Sequence, residues 1–157
     1  RFWYRYVFSN RTLIETGASD VVMKRRIEPT YSDYMGLVFE KVCRDYLMRK
    51  NPCGELPILF TSIGRWWGTD PKKHEQVEID LIANDGDEYM FCECKWRNEK
   101  LDLPVLKSLM YKADVFRKNR GRTWFVLFSK SGFTDAVIEE AAKNNDVLLV
   151  DLGKITE

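Results

Sequence analysis

Between Val77 and Trp96 the chain reads VEIDLIANDGDEYMFCECKW, and its apolar and polar positions follow the two-residue period that strands impose. Val77, Ile79, Leu81 and Ala83 take one face of a first strand, with Glu78 and Asp80 on the other. Asn84-Asp85-Gly86-Asp87 predicts a tight turn, because an Asp-Gly pair between alternating segments suits the positive φ angles of a type I′ hairpin. With Asp85-Gly86 as a two-residue loop, odd positions of the second strand share a face with even positions of the first, so Glu78, Asp80, Glu93 and Lys95 converge. The second strand, Glu88 to Trp96, is apolar on both sides. Tyr89 and Phe91 share the face of Glu93, and Met90, Cys92, Cys94 and Trp96 take the other, which predicts a central position in a sheet.

Elsewhere the period changes. Tyr31, Met35, Val38, Phe39, Val42, Tyr46 and Leu47 recur at helical spacing and predict a helix from Tyr31 to Lys50, capped by Ser32 or Asp33 and ended by Asn51-Pro52. Leu56 to Trp67 reads as a strand running into Gly64-Arg65-Trp66-Trp67-Gly68, followed by a solvated polar loop, Thr69 to Glu75, that carries Lys72, Lys73 and His74. Asp102 and Pro104 open a helix whose buried stripe is Leu103, Leu106, Leu109, Met110, Ala113 and Phe116, with Lys107 and Lys112 off that stripe. Trp124–Ser129 and Val147–Asp151 read as strands, and between them Thr134 caps a helix to Lys143. Strand, helix and strand imply a parallel crossover. The order α, β, β, β, α, β, α, β predicts an α/β fold with a mixed central sheet flanked by helices on both sides.

Composition narrows this little further. At 157 residues the chain has the length of one domain, its 45% hydrophobic and 31% charged residues suit a soluble globular protein, and no apolar run approaches a membrane span. A net charge of +1 gives no global argument for nucleic-acid binding, which leaves local patches to carry one. Cys43, Cys53, Cys92 and Cys94 form no paired CxxC knuckle and are expected as reduced core thiols. The opening RFWYRYVF holds five aromatic residues, more than an exposed terminus tolerates, so they pack on this domain or on something upstream. Beginning at Arg1 without a signal peptide, the chain reads as a fragment of a longer protein.

The converging polar residues fit two arrangements. One is the solvated face of an antiparallel hairpin with cross-strand ion pairs. In the other, three carboxylates and one ammonium on a central strand leave negative charge that a hard divalent ion neutralises. Mg²⁺, which takes one or two carboxylates, waters and a phosphate oxygen, suits that arrangement and phosphodiester cleavage. Replacing Asp80 or Glu93 is expected to relieve repulsion in the metal-free protein, and Lys95→Met to remove the cluster's cation. The Gly64–Gly68 segment likewise reads two ways: one tryptophan in the core and one outside, or Arg65 and Trp66 as a nucleic-acid-binding loop that clamps phosphate and stacks bases.

Asp80, twelve intervening residues and then Glu93-Cys94-Lys95 resemble the D…ExK signature of the PD-(D/E)XK nuclease superfamily. In order around it, FWYRYVFSNR, YMGLVFEKVC, IGRWWG, EIDLIA and ECKW resemble the nuclease-like module at the C-terminus of a family of archaeal-type ATPases, over nearly the whole chain. The resemblance implies a restriction-endonuclease-like αβββαβ core over residues 31–157, with residues 1–30 a helical linker from an upstream ATPase portion. It implies metal-dependent cleavage of DNA, with Asp80, Glu93 and the Cys94 backbone carbonyl holding Mg²⁺ or Mn²⁺. Lys95 would position or activate the attacking water, Glu40 would complete the site from its helix, and Lys112 would lie near the scissile phosphate. The alternative is a nuclease fold that binds DNA or protein without cleaving. The implied partners are DNA, the ATPase portion of the same chain and a second copy met through the aromatic N-terminal segment, with no membrane and a cytoplasmic setting. The chain has no GxxxxGK[ST] loop of its own.

Overall fold

The computed structural model describes residues 1–116 and 121–157. Contacts divide the chain into two units, Arg1–Leu37 and Val38–Glu157. The first is a run of short helical turns, among them α1 (Arg11–Glu15) and α2 (Ser19–Val22), that leads into the long helix α3 (Glu28–Lys50). Tyr6 is its buried aromatic residue, packed edge-on against Tyr34 with its hydroxyl donating to the Thr30 carbonyl at 3.1 Å. Phe2, Trp3, Tyr4 and Phe8 are exposed. The helix α3 begins three residues earlier than the apolar spacing predicts, and Pro29 sits in its first turn, where a missing N–H costs no bond.

The second unit is a five-stranded mixed sheet in the order β1 (Ser62–Thr69), β2 (Gln76–Asp85), β3 (Glu88–Lys95), β4 (Thr123–Ser129) and β5 (Val147–Asp151). The first three strands are antiparallel. Two crossovers, through α4 (Leu103–Phe116) and α5 (Asp135–Lys143), make β3, β4 and β5 parallel, and α6 (Leu152–Thr156) closes the chain. Helices flank the sheet on both faces. Phe39, Cys43 and Leu47 of α3 pack on Ala83, Met90, Cys92, Val126 and Phe128. Leu106, Leu109 and Ala113 of α4 and Val137 of α5 pack on Ile79, Ile82, Phe91, Phe125 and Leu127. Among the described residues no helix is long and apolar enough to cross a membrane.

Four local expectations change. Leu56–Phe60 is not strand. Pro57 withholds a ladder donor, and Asn51 pairs with the Phe60 backbone through both side-chain atoms at 3.0 Å, which fixes an irregular segment with Ile58 and Phe60 buried. The hairpin loop is Gly86-Asp87 rather than Asp85-Gly86, since Asp85 pairs with Glu88. Gly86 has φ 56°, and among the described residues no non-glycine residue but His74 has a positive φ, so the glycine takes the first central position, as in a type II′ turn. Thr134 stands at the N-cap of α5 without a side-chain cap bond. The Cys53 thiol is exposed, while Cys43, Cys92 and Cys94 are core thiols.

The fifth change shapes the site. Gly64 faces Ile82 and Trp66 faces Ile79, so Arg65 alone stands opposite Asp80 and Leu81, a β-bulge. The bulge reverses the phase of β2. Ile79 joins Ile82 and Phe91 in the layer under α4, while Leu81 and Ala83 lie in the layer under α3, so the single apolar face expected from Val77 to Ala83 is split.

Candidate active site

The most buried acid on β3 is Glu93, 4% exposed. It sits there because β3 lies between β2 and β4 and because its face, shared with Phe91, is roofed by α4. An isolated carboxylate so placed would be costly. Two ammonium groups offset that cost: Lys95 Nζ lies 2.5 Å from Oε1, and Lys112 Nζ, from α4, lies 2.8 Å from Oε2. Lys112, off the apolar stripe of its helix, thereby reaches the strand instead of solvent.

Asp80 enters from the bulge. Its Oδ2 accepts the Cys94 backbone N–H at 2.8 Å and lies 3.8 Å from Lys95 Nζ. The two carboxylates of the D…ExK pattern thus converge on one ammonium. Burial pushes the Asp80 carboxyl above its usual range, and the neighbouring Glu93 charge adds to this. Burial would lower the Lys95 ammonium, but the charge and hydrogen bond of Glu93, together with Asp80, outweigh it and hold that group above its ordinary value. The Cys94 thiol lies in the layer under α3, and burial pushes it well up.

Glu40 and Glu78 belong to a second group, centred on Arg65. The guanidinium bonds Glu40 of α3 through Nη2 and lies 3.1 Å from Glu78 Oε1 through Nη1. Glu78 therefore does not join Asp80 and Glu93 as the strict alternation of β2 predicts, because the bulge changes the phase between them. Trp66 turns inward onto Phe116 with ring centroids 5.3 Å apart, and Trp67 is the exposed ring of the pair. Among the described residues no group of three or more His, Cys, Asp or Glu is gathered as a metal site; what the site offers is the pair Asp80 and Glu93.

One buried acid escaped the sequence reading. Asp70, expected in a solvated loop, is 1% exposed, and its Oδ2 accepts the hydroxyl of Tyr111, the residue before Lys112 on α4. That hydrogen bond, with the Lys72 N–H, holds its carboxyl below the usual range. The available signal was Asp70-Pro71 directly after a strand, a turn-initiating pair.

Residues 3–107 match the family described as "Archaea bacterial proteins of unknown function". The chain is 36% identical over 159 aligned positions, 96% of its length, to the uncharacterized protein MJECL04 of Methanocaldococcus jannaschii. It spans about a third, 32%, of that relative. A crystal structure titled as the protein of unknown function AF1548 aligns with 70% of this chain and 58% of its own at 17% identity and a TM-score of 0.46, too slight a likeness to argue from.

Proposed function

Since the chain belongs to that family of archaeal and bacterial proteins of unknown function, its chemistry has to come from its own residues, and we propose metal-dependent hydrolysis of DNA phosphodiesters by a PD-(D/E)XK-type module of a longer ATPase. The observation that carries the reading is the convergence of Asp80 and Glu93 on a single cationic position, with Lys95 2.5 Å from Glu93 and 3.8 Å from Asp80. Such a carboxylate pair suits a hydrated Mg²⁺ or Mn²⁺, which takes only one or two carboxylates and keeps several waters. Burial first, and then the Glu93 charge, raise the Asp80 carboxyl, and a cation bound between the two would offset both. Asp80, Glu93 and the Cys94 carbonyl would hold the ion. Bound there, it would lower the pKa of its water and polarise the phosphoryl oxygen.

The protein's own part follows from the geometry. Glu93 keeps two ammonium groups at a half-buried centre, where their charge is less screened than at the surface. Lys95, the nearer to Asp80, orients the attacking water, and Lys112 supplies positive charge toward the phosphate as negative charge builds on its oxygens. Arg65, opposite the bulge, holds Glu40 of α3 and Glu78 of β2, which fixes the edge of the centre. DNA is the substrate, and the ATPase portion of the longer cytoplasmic protein acts on the same molecule.

A second reading has its own observation. Lys95 and Lys112 already balance the charge of Asp80 and Glu93, which suits a fold that binds DNA or protein without cleaving. The experiment is a cleavage assay with Mg²⁺ or Mn²⁺ on supercoiled, linear and branched DNA, alongside Mn²⁺ titration of the parent, Asp80→Asn and Glu93→Gln. The nuclease reading expects Mn²⁺ binding and cleavage that both variants lose. Cleavage untouched in both variants, or a parent that neither binds Mn²⁺ nor cuts any form, would overturn it.

A further inference from the structure

We propose that the turn between β1 and β2, residues 70–75, is a built contact for the phosphate backbone of DNA, carried on α4 next to the candidate active site; its partner rests on the nuclease reading above. Asp70 is almost wholly buried yet has no part in the groups around Glu93 and Arg65. Its Oδ1 accepts the Lys72 N–H at 2.8 Å and its Oδ2 the Tyr111 hydroxyl. The backbone closes the same turn, with the Asp70 N–H donating to the Glu75 carbonyl at 2.9 Å and the His74 N–H to the Asp70 carbonyl at 2.8 Å. His74 takes a left-handed φ of 57°. A buried carboxylate and a left-handed histidine both cost free energy, and these hydrogen bonds offset that cost and hold one turn conformation.

What this turn presents outward is basic. With the Asp70 charge buried against α4, the exposed side chains include Lys72, Lys73 and His74 against the single carboxylate of Glu75. Lys73 is exposed and its Nζ lies 4.4 Å from the Tyr111 ring centroid, a cation–π contact that seats its ammonium at the surface of α4. Tyr111 anchors the turn and its neighbour Lys112 grips Glu93, so consecutive residues of one helix tie the turn to the active site. Along β2, Gln76 and Asp80 are four residues apart, roughly 13 Å at about 3.3 Å per residue. A backbone whose scissile phosphate sits at Asp80 and Glu93 has the turn within a few nucleotides' reach. Asp70 and Tyr111 are positioning residues, and Lys72 and Lys73 make the contact.

The test is fluorescence anisotropy of the full chain with a labelled DNA duplex over a salt series, in EDTA so that cleavage does not intervene. Lys72→Ala/Lys73→Ala is expected to weaken binding about three- to tenfold near 0.1 M salt and to lower the salt slope by about 2, the loss of two phosphate contacts. Tyr111→Phe, which changes no charge, should also weaken binding at temperatures well below its melt, because the turn is no longer held. Lys143→Ala, at the far end of α5, is the control for general charge. A double variant that keeps the parental affinity and slope, or loses no more than the control, overturns the proposal. So does a parent that binds no DNA. If the parent binds, the double variant weakens it and no DNA is cut with Mg²⁺ or Mn²⁺, the turn stands and the nuclease reading falls.

Discussion

Asp80 and Glu93 share an ammonium but not an environment, and their variants should therefore diverge. Glu93 holds both Lys95 and Lys112, so Glu93→Gln leaves two partly buried ammonium groups with a weaker partner and is expected to cost about 1–3 kcal/mol. Asp80 is the carboxyl whose folded value is raised, by burial first and then by Glu93. A raised carboxyl works against folding above its folded pKa, where it is forced to ionise, and has no effect below the unfolded value near 3.9, where it is protonated in both states. Asp80→Asn should therefore raise the melting temperature of the metal-free protein at neutral pH and leave it unchanged near pH 3, with the Asn oxygen still able to accept the Cys94 N–H. Thermal melts of the two variants from pH 3 to 8 in EDTA check this; equal shifts in the same direction would refute it. From sequence, both replacements are expected to relieve repulsion. For Glu93 the structure points the other way because its second cation comes from α4, and a contact between a strand and a helix 19 positions away leaves no mark in the local pattern.

Much of the site is legible at the scale of the element because hairpin parity is robust. Moving the loop from Asp85-Gly86 to Gly86-Asp87 shifts each cross-strand partner by two positions, which keeps even residues of β2 with odd residues of β3. The bulge opposite Arg65 was not legible, since it depends on how β1 registers with β2, a non-local choice that alternation within β2 does not encode. Burial on both faces of β3 and the helical stripes of α3 and α4 were readable for the opposite reason: each is a period within one segment. The turn itself gives a direct test. Asp85 is a paired strand residue whose Oδ1 lies 3.4 Å from the Thr61 hydroxyl, so Asp85→Gly should destabilise by about 0.5–1 kcal/mol through added backbone freedom. Gly86→Ala should cost about 1 kcal/mol or more, because its φ of 56° is unfavourable for a side chain. In a type I′ loop centred on Asp85 and Gly86, glycine at 85 would instead stabilise. Urea midpoints of the two variants decide between the turns.

At the scale of the whole molecule, a net charge of +1 conceals where the charges are spent: two lysines on Glu93, one arginine between Glu40 and Glu78, and Asp70 buried under Tyr111. Apolar burial is spent as unevenly. Both core layers draw their residues from Phe39 onward, whereas Arg1–Leu37 leaves Trp3, Tyr4 and Phe8 58%, 67% and 48% exposed. Each fully buried core side chain contributes about 1.5–3 kcal/mol, so the layers beneath α3 and α4 supply most of the cooperativity of the sheet unit. A chain starting at Glu28 keeps α3 whole, with an acidic residue and Pro29 in its first turn, as a helix start favours. Residues 28–157 should therefore fold alone, with the strand signal in circular dichroism and one cooperative melt within about 5 °C of the longer chain. Their exposed-aromatic fluorescence should fall, since Trp3 and Tyr4 are gone, and their tendency to self-associate should fall with it. A melt lowered by more than that, or a broad transition without a baseline, would mean that the first 27 residues are part of the core of the sheet unit, and the division at Leu37 would not be a boundary of folding.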